Sequence, residues 1–228
     1  MNNINMMNFP NNNFPNILNF PTMPNMSNVP NYQNMNNNQN MSSIPSYSTM
    51  ALIKNEFDNL YTNPISQFGL SIGLLHDNDY SKWRITLTGA KDSSYEGGIY
   101  KIIISFPNNY PNAPPLIYFA TPIYHLNINP YIDERARQDP LGFVPIERLK
   151  IWKQDYSMKE VLTYLYGLFY YVDLDNGYGE GRKDEYKYNQ ATYHEKVKYF
   201  VKKYASSSNF SLDWGNMGWN FEIYNHNI

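Results

Sequence analysis

The stretch of sequence that decides the fold is YEGGIYKIIISFPNNYPNAPP, residues 95–115. Its first part places Gly97 and Gly98 before a run rich in strand-forming side chains, which is typical of a turn leading into a strand. Its second part is rich in proline, which fixes φ and removes a backbone donor. Such a segment is rigid and extended but cannot continue a sheet ladder, so it predicts a connection between two strands.

Strand patterns lie on both sides of this stretch. Apolar side chains alternate over residues 68–74 and again over residues 83–87, while residues 100–106 indicate a third strand and residues 116–119 a short fourth. Clusters of Gly, Asp, Ser and Asn separate these segments, as in hairpin-connected sheets. The sequence therefore predicts a four-stranded antiparallel meander.

A helical pattern precedes the strands. Residues 50–61 repeat apolar side chains at helical spacing, with Ser46 or Ser48 as a candidate N-cap. The pair Asn63-Pro64 predicts the end of this helix, because the residue before a proline avoids the helical region.

Helical patterns also follow the strands. Residues 161–172 carry an apolar helical stripe, and Ser157 with Glu160 predicts a capping box at its start. A last helix is predicted over residues 189–205, and the glycine-rich residues 177–181 are predicted to link the two helices. Segregated strands and helices of this kind indicate an α+β fold, with the helices packed on the sheet.

Composition narrows the classes of function. The 228 residues contain 0 Cys, which excludes disulfides, cysteine-based zinc sites and any thiol nucleophile in this chain. A net charge of -2 offers no general attraction to nucleic acid or to anionic membranes. The histidines have no carboxylate partners at ligand spacing, so we predict no metal and no cofactor.

Targeting signals are absent from the sequence pattern. No run of about 18 apolar residues occurs, so we expect no direct membrane insertion. The first residues lack the basic and apolar regions of a signal peptide, and we therefore expect a cytoplasmic protein.

Three regions differ in composition. Residues 1–45 lack charged residues, are rich in Asn, Met and Pro, and are predicted to form a disordered tail. Residues 46–205 contain the strand and helix patterns and form the predicted domain. Residues 206–228 form an aromatic C-terminal tail that either packs back on the domain or anchors a partner. The candidate partner-binding side chains are Phe210, Trp214, Trp219 and Phe221.

Residues 95–98 and 106–115, together with His125-Leu126-Asn127, resemble the ubiquitin-conjugating (UBC) enzyme family. The family pattern is Y-E-G-G, F-P-x-x-Y-P-x-x-P-P and H-P-N, followed by G-x-I-C-L, a Trp and helices. The resemblance covers residues 46–205 and implies that they adopt the UBC fold. Residues 142–146 match the G-x-I-C-L stretch, so Pro145 stands where the family has its catalytic cysteine.

The resemblance also implies which positions formed the active site. In the family the Asn of H-P-N supports the oxyanion that forms during transfer, and Asn127 matches it by position. Ubiquitin conjugation needs a thiolate that accepts ubiquitin as a thioester, and a proline has no nucleophilic atom. We therefore predict a chain that is not an enzyme, in which Pro145, His125 and Asn127 are vestigial site positions and Asn127 is structural. Residues 129–141, between the two motifs, also form a longer segment than is usual in the family.

Two inactive branches of the family compete as the closer resemblance. The chain is most similar to the fused-toes family, which sits with Hook proteins in a dynein cargo-adaptor complex for vesicle transport. The similar features are residues 161–173, the late helix, and an aromatic tail with a Trp-Asn pair, here Trp219-Asn220. This resemblance implies a Hook-like coiled-coil protein as partner. The alternative is a ubiquitin-conjugating enzyme variant, whose partners would be ubiquitin or an active conjugating enzyme.

Overall fold

The computed structural model describes residues 46–129 and 142–210. The N-terminal helix α1 spans Tyr47–Thr62. Of the two candidate N-caps, Ser46 is the one used, because its side chain accepts a hydrogen bond from the Thr49 backbone N–H. The helix buries the face formed by Thr49, Ile53, Phe57 and Leu60.

The sheet is antiparallel and its strands follow in chain order. They are β1 (Ser71–Leu74), β2 (Lys82–Thr88), β3 (Ile99–Ser105), β4 (Leu116–Phe119) and β5 (Phe143–Val144). The predicted meander of four strands is confirmed, and the structure adds β5 at its edge. Because β5 has only two residues, it shows no alternation by which the sequence could have predicted it.

One face of the sheet packs against the helices. Paired residues in one inward-facing row, Trp83, Ile104, Ile117 and Val144, are all 0% exposed. Side chains of a strand alternate between the two faces, so this row implies a second row that faces away from the helices. The core therefore lies between the inner face and the helices, and the fold is α+β as predicted.

The proline-rich connection between β3 and β4 is held down by aromatic contacts. Tyr110 is 2% exposed, and its ring centroid lies 4.9 Å from that of Phe106 and 5.5 Å from that of Trp152. The Tyr110-Pro111 peptide bond is cis. The contact with Trp152 ties this connection to the segment that enters the next helix.

Within the described residues, three α-helices follow the sheet, where the sequence predicted two helices. They are α2 (Met158–Gly167), α3 (Glu180–Tyr188) and α4 (Gln190–Phe200), and α4 continues into a π-helical turn, Val201–Ala205. The predicted capping box of Ser157 and Glu160 is present at the start of α2. The unpredicted helix, α3, has no buried residue, so it carries no apolar stripe for periodicity to detect.

Several regions discussed above lie wholly or partly outside the residues that the structure describes. The tail of residues 1–45, residues 130–141 of the long segment, and Trp214, Trp219 and Phe221 lie outside the described residues. Among the helices of residues 46–129 and 142–210, none has the length and apolar character needed to cross a bilayer.

Candidate functional site

His125, Leu126 and Asn127 lie in the irregular segment that follows β4, and all three are 0% exposed. They are enclosed by the end of α2, by the glycine-rich segment after it, and by α3 and α4. Each therefore has to satisfy its polar groups within the protein.

His125 is held as a neutral imidazole. Its Nδ1 accepts a hydrogen bond from the Asn127 backbone N–H at 3.0 Å, so the ring proton is on Nε2, which donates to the Leu168 carbonyl oxygen at 2.8 Å. Burial lowers the pKa of His125 to about 4. A neutral ring with both nitrogens engaged orients the backbone and has no proton to exchange with a substrate at neutral pH.

The side-chain amide of Asn127 is fully used by the turn after α2. Nδ2 donates to the carbonyl oxygens of Asp173 at 2.6 Å and Asn176 at 3.1 Å. Oδ1 accepts from the Asp173 backbone N–H at 2.8 Å. Both amide hydrogens are directed at backbone carbonyls, which is the geometry of a structural link between the two segments.

The partners of Asn127 were not predicted from the sequence. Asp173 and Asn176 form a tight turn in which Asp173 Oδ1 accepts from the backbone N–H groups of Asp175 and Asn176. The run Asp-Leu-Asp-Asn-Gly at residues 173–177 is a turn signature that could have indicated this local structure. Its contact with Asn127, 46 residues away in sequence, has no local signal.

Leu126 takes the place of the proline in the H-P-N pattern, and the fold uses its backbone N–H. This group donates to Tyr193 Oη at 3.0 Å, a bond that a proline could not make. The Leu126 carbonyl oxygen accepts from the Tyr178 backbone N–H at 2.8 Å. Gly177 packs so closely that a Cβ there would lie 2.6 Å from Leu126 Cδ1. The prediction that residues 177–181 link α2 directly to the last helix is wrong in part, because α3 already begins at Glu180. The segment before α3 also packs against Leu126 through Gly177.

Pro145 follows β5 directly and is buried. The Ile146 N–H donates to the Val144 carbonyl oxygen at 2.8 Å, so Pro145 is the central residue of a γ-turn. Its ring restricts φ to about −65°, close to the value of the inverse γ-turn. The Pro145 carbonyl oxygen accepts from the Leu149 N–H at 2.9 Å. Pro145 is thus a built-in part of the backbone turn and offers no nucleophilic atom.

Two arginines lie beside these residues and contact tyrosine rings. The Arg148 guanidinium lies 4.9 Å from the Tyr178 ring centroid, and the Arg182 guanidinium lies 4.9 Å from that of Tyr124. Arg182 Nη1 also donates to the His125 carbonyl oxygen at 3.2 Å. The unpredicted helix α3 therefore contributes to the site through Arg182.

The ends of the long segment meet beside β5. The Gly142 N–H donates to the Asn129 carbonyl oxygen at 3.0 Å, and the Asn129 N–H donates to the Phe143 carbonyl oxygen at 3.0 Å. These two bonds close the base of residues 130–141. The two residues that flank the long segment therefore lie side by side at β5, and β4 and β5 keep their paired register.

The candidate partner-binding residues are described at one position. Phe210 is partly buried, and its ring centroid lies 5.5 Å from Lys101 Nζ on β3. The other three candidates lie beyond the described residues. In the described part of the chain, no group of three or more His, Asp or Glu side chains is arranged to hold a metal ion.

The comparisons with known proteins agree on one family. The family model for the ubiquitin-conjugating enzyme matches residues 52–201, more than half of the chain. A crystal structure of a provisionally assigned ubiquitin-conjugating enzyme from Plasmodium yoelii superposes with a TM-score of 0.59 at 21% identity. The superposed region covers 72% of this chain and 99% of the Plasmodium chain, and it shows that the two share a fold.

Relatives in other organisms agree. Ubiquitin-conjugating enzyme E2 13 of Arabidopsis thaliana is 38% identical over 79 residues, which is 35% of this chain and 46% of the plant protein. The ubiquitin-conjugating enzyme E2 of African swine fever virus (isolate Pig/Kenya/KEN-50/1950) is 32% identical over 154 residues, 65% of this chain and 68% of the viral protein. The match to the plant relative thus spans about half of its length. On this family match and on the fold, the chain belongs to the ubiquitin-conjugating enzyme family.

Proposed function

We propose that this chain is a non-catalytic member of the family that acts by binding protein partners. The observation that carries the proposal is Pro145, which occupies the cysteine position of the G-x-I-C-L stretch within a chain that contains 0 Cys. The thioester step of ubiquitin transfer requires a thiolate. The amide of Asn127 supports the same conclusion, because the residue is buried and both of its amide hydrogens bond backbone carbonyl oxygens.

A ubiquitin-charging assay tests the loss of catalysis. Incubation of the full chain with activating enzyme, ATP and ubiquitin should give no covalent adduct, while an active conjugating enzyme in a parallel reaction is charged. An adduct on this chain that requires both ATP and the activating enzyme would contradict the proposal.

For the partner, we infer a fused-toes-like role in a Hook/dynein cargo-adaptor complex that acts in vesicle transport in the cytoplasm. The resemblance over residues 161–173, including Phe169-Tyr170-Tyr171-Val172-Asp173, supports this role. Exposed aromatic side chains on the late helices add to it, since Tyr188 on α3 is 82% exposed and Tyr199 on α4 is 56% exposed. Tyrosine combines large contact area with a polar tip and is enriched in protein interfaces.

Co-purification tests this partner. Tagged full chain expressed in its own cells should recover a Hook-like coiled-coil protein. The double variant Tyr188→Ala with Tyr199→Ala should recover less of it, because both exposed rings are removed from the late helices. The matched control is Tyr47→Ala, which removes a ring that is 92% exposed on α1 and should leave recovery unchanged. Recovery of ubiquitin or an active conjugating enzyme instead of a coiled-coil protein would contradict the role.

A second candidate is a ubiquitin-binding variant. The specific observation in its favour is the intact UBC sheet and helices over residues 52–201, which supply a folded surface without the catalytic cysteine. Titration of the isotope-labelled chain with ubiquitin would then shift a contiguous patch of NMR signals. Unchanged spectra at millimolar ubiquitin would exclude this candidate in favour of the adaptor.

A further inference from the structure

The outer face of the sheet, which points away from the helices, is unexpectedly buried. In β2, side chains on the inner face are buried and those on the outer face are intermediate or exposed, as in a sheet with one face in water. In the neighbouring strand β3, Lys101 and Ile103 on the outer face are only 8% and 3% exposed. Tyr118 on β4 is 8% exposed.

The register places these side chains in one row. Ile103 pairs with Arg84 on one side and with Tyr118 on the other, and Tyr118 pairs with Phe143. Ile103 and Tyr118 are buried, but neither belongs to the hydrophobic cluster that the inner face forms with the helices. Another part of the protein must therefore keep water from this row.

The described chain ends on the same face. After α4, Ala205 is buried at 2% exposure. Asn209 Nδ2 then donates to the Lys203 carbonyl oxygen at 2.8 Å, which holds the chain against the end of the π-helical turn. The next residue, Phe210, lies with its ring centroid 5.5 Å from Lys101 Nζ. The described chain therefore ends, at Phe210, beside the outer face of β3.

We propose that residues 211–228 lie across the outer face of the sheet and bury it, with Trp214, Trp219 and Phe221 over Ile103 and its row. The segment is long enough, because residues 211–228 reach about 60 Å when extended, at about 3.4 Å per residue. The five strands span roughly 19 Å at about 4.8 Å per strand. Large aromatic side chains also bury the most apolar area on such a face, so their burial stabilises the contact most.

Charge favours this segment over the other candidates. The only charged residues within β1 to β5 are Lys82, Arg84 and Lys101, and all three belong to the outer face. Residues 211–228 contain Asp213 and Glu222 but no Lys or Arg, so their charge is complementary. By contrast, residues 1–45 carry no charged side chain and residues 130–141 carry arginines as well as acids. The inference concerns the chain alone and does not depend on the proposed function.

A spin label tests the position of the tail in the full chain. Because the chain has 0 Cys, a single introduced cysteine is the only labelling site. A label on Arg84→Cys, which lies in the outer row, should erase most of the NMR signal of the Trp214 and Trp219 indole N–H groups. The matched control is Lys159→Cys, at an exposed position on α2 on the helix side of the sheet, and its label should leave both indole signals intact.

Removal of the tail gives an independent measurement. A chain that stops after Phe210 should show a changed Ile103 methyl shift, whereas the methyl groups of Ile102 and Ile104 on the inner face should keep theirs. Sharp indole signals with the Arg84→Cys label would overturn the proposal. So would an Ile103 methyl group that responds to deletion of residues 130–141 and not to loss of the tail. Broadening that appears between a labelled copy and a separate isotope-labelled copy would place a second chain on the face and would also overturn it.

Discussion

At the scale of single residues, Pro145 is a fixed part of the backbone turn that follows β5. A simple loss of the nucleophile would leave an open position in which a restored thiol could react. Here the side chain is buried, and the residue forms the centre of a γ-turn whose carbonyl oxygen is bound by the Leu149 N–H. A thiol at this place would be inaccessible, and burial would raise its pKa.

The variant Pro145→Cys should therefore not be charged with ubiquitin by the activating enzyme, and it should react slowly with a thiol reagent in the native state. The matched control is Glu147→Cys, two residues along at an exposed position, which should react rapidly with the same reagent. Formation of a ubiquitin thioester on Pro145→Cys would show that the site is intact apart from the missing cysteine.

His125 makes stability depend on pH. In the unfolded chain its pKa is near 6.5, whereas in the folded protein burial lowers the pKa to about 4. As the pH falls below 6.5, the unfolded state takes up a proton that the native state excludes, so the free energy of unfolding decreases until about pH 4. The total loss is about 3 kcal/mol, at about 1.4 kcal/mol per unit of pKa difference.

Urea unfolding at pH 7.5 and at pH 5 measures this effect. The His125→Gln variant should be less stable at pH 7.5 but should lose less stability on acidification, because it lacks the titrating ring. An NMR titration should show that the native His125 ring stays neutral to about pH 4. A variant with the same pH slope as the parent protein would assign the acid sensitivity to other groups.

At the scale of elements, the segment between α2 and α3 packs closely against Leu126 at a glycine. A Cβ on Gly177 would lie 2.6 Å from Leu126 Cδ1 and 2.7 Å from Leu126 Cγ. Leu126 is itself 0% exposed, so it has no free space into which to move. Close packing of this kind makes even one added methyl group costly.

Gly177→Ala should therefore lower the free energy of unfolding by about 1–3 kcal/mol, measured by urea denaturation. Gly181→Ala is the matched control, because no atom lies within 4 Å of its Cβ position and the residue is in the first turn of α3. Alanine is the better helix former there, so this variant should be unchanged or more stable by up to about 1 kcal/mol. Equal effects at both positions would show that Gly177 is not under steric restraint.

At the scale of the whole molecule, the domain boundary is open to direct test. We propose that residues 46–205 hold the folded domain and that residues 1–45 add no stability. The first 45 residues contain no charged side chain and are dominated by Asn, Met and Pro, a composition that buries little apolar surface. The first helix, by contrast, buries Ile53, Phe57 and Leu60 in the core.

A chain that begins at Ser46 should keep the thermal unfolding midpoint of the full chain. A chain that begins at Phe57 should be far less stable, since it loses the N-cap and Ile53, which is 0% exposed. Calorimetry on the three proteins makes the comparison. A lower midpoint for the chain that begins at Ser46 would place part of the folded unit within the first 45 residues.

Much of this fold could be read from local pattern. The alternation in β1 and β2, the proline-rich stretch and the capping box of Ser157 are all signals carried by neighbours in sequence. The strand β5 and the helix α3 escaped prediction because one is too short to show a period and the other has no buried face. For the same reason, Arg182 on α3 could not be assigned to the site beforehand.

The sequence by itself determined that this chain has no thiol chemistry, because the count of 0 Cys is a property of composition. Only the tertiary structure decided how Asn127, Leu126 and the outer face of the sheet are held. The amide of Asn127 is engaged by residues 173 and 176, Leu126 is covered by Gly177, and the outer face of β3 is buried. These contacts join residues far apart in the chain, and their energies depend on distances that exist only once the sheet and helices have packed.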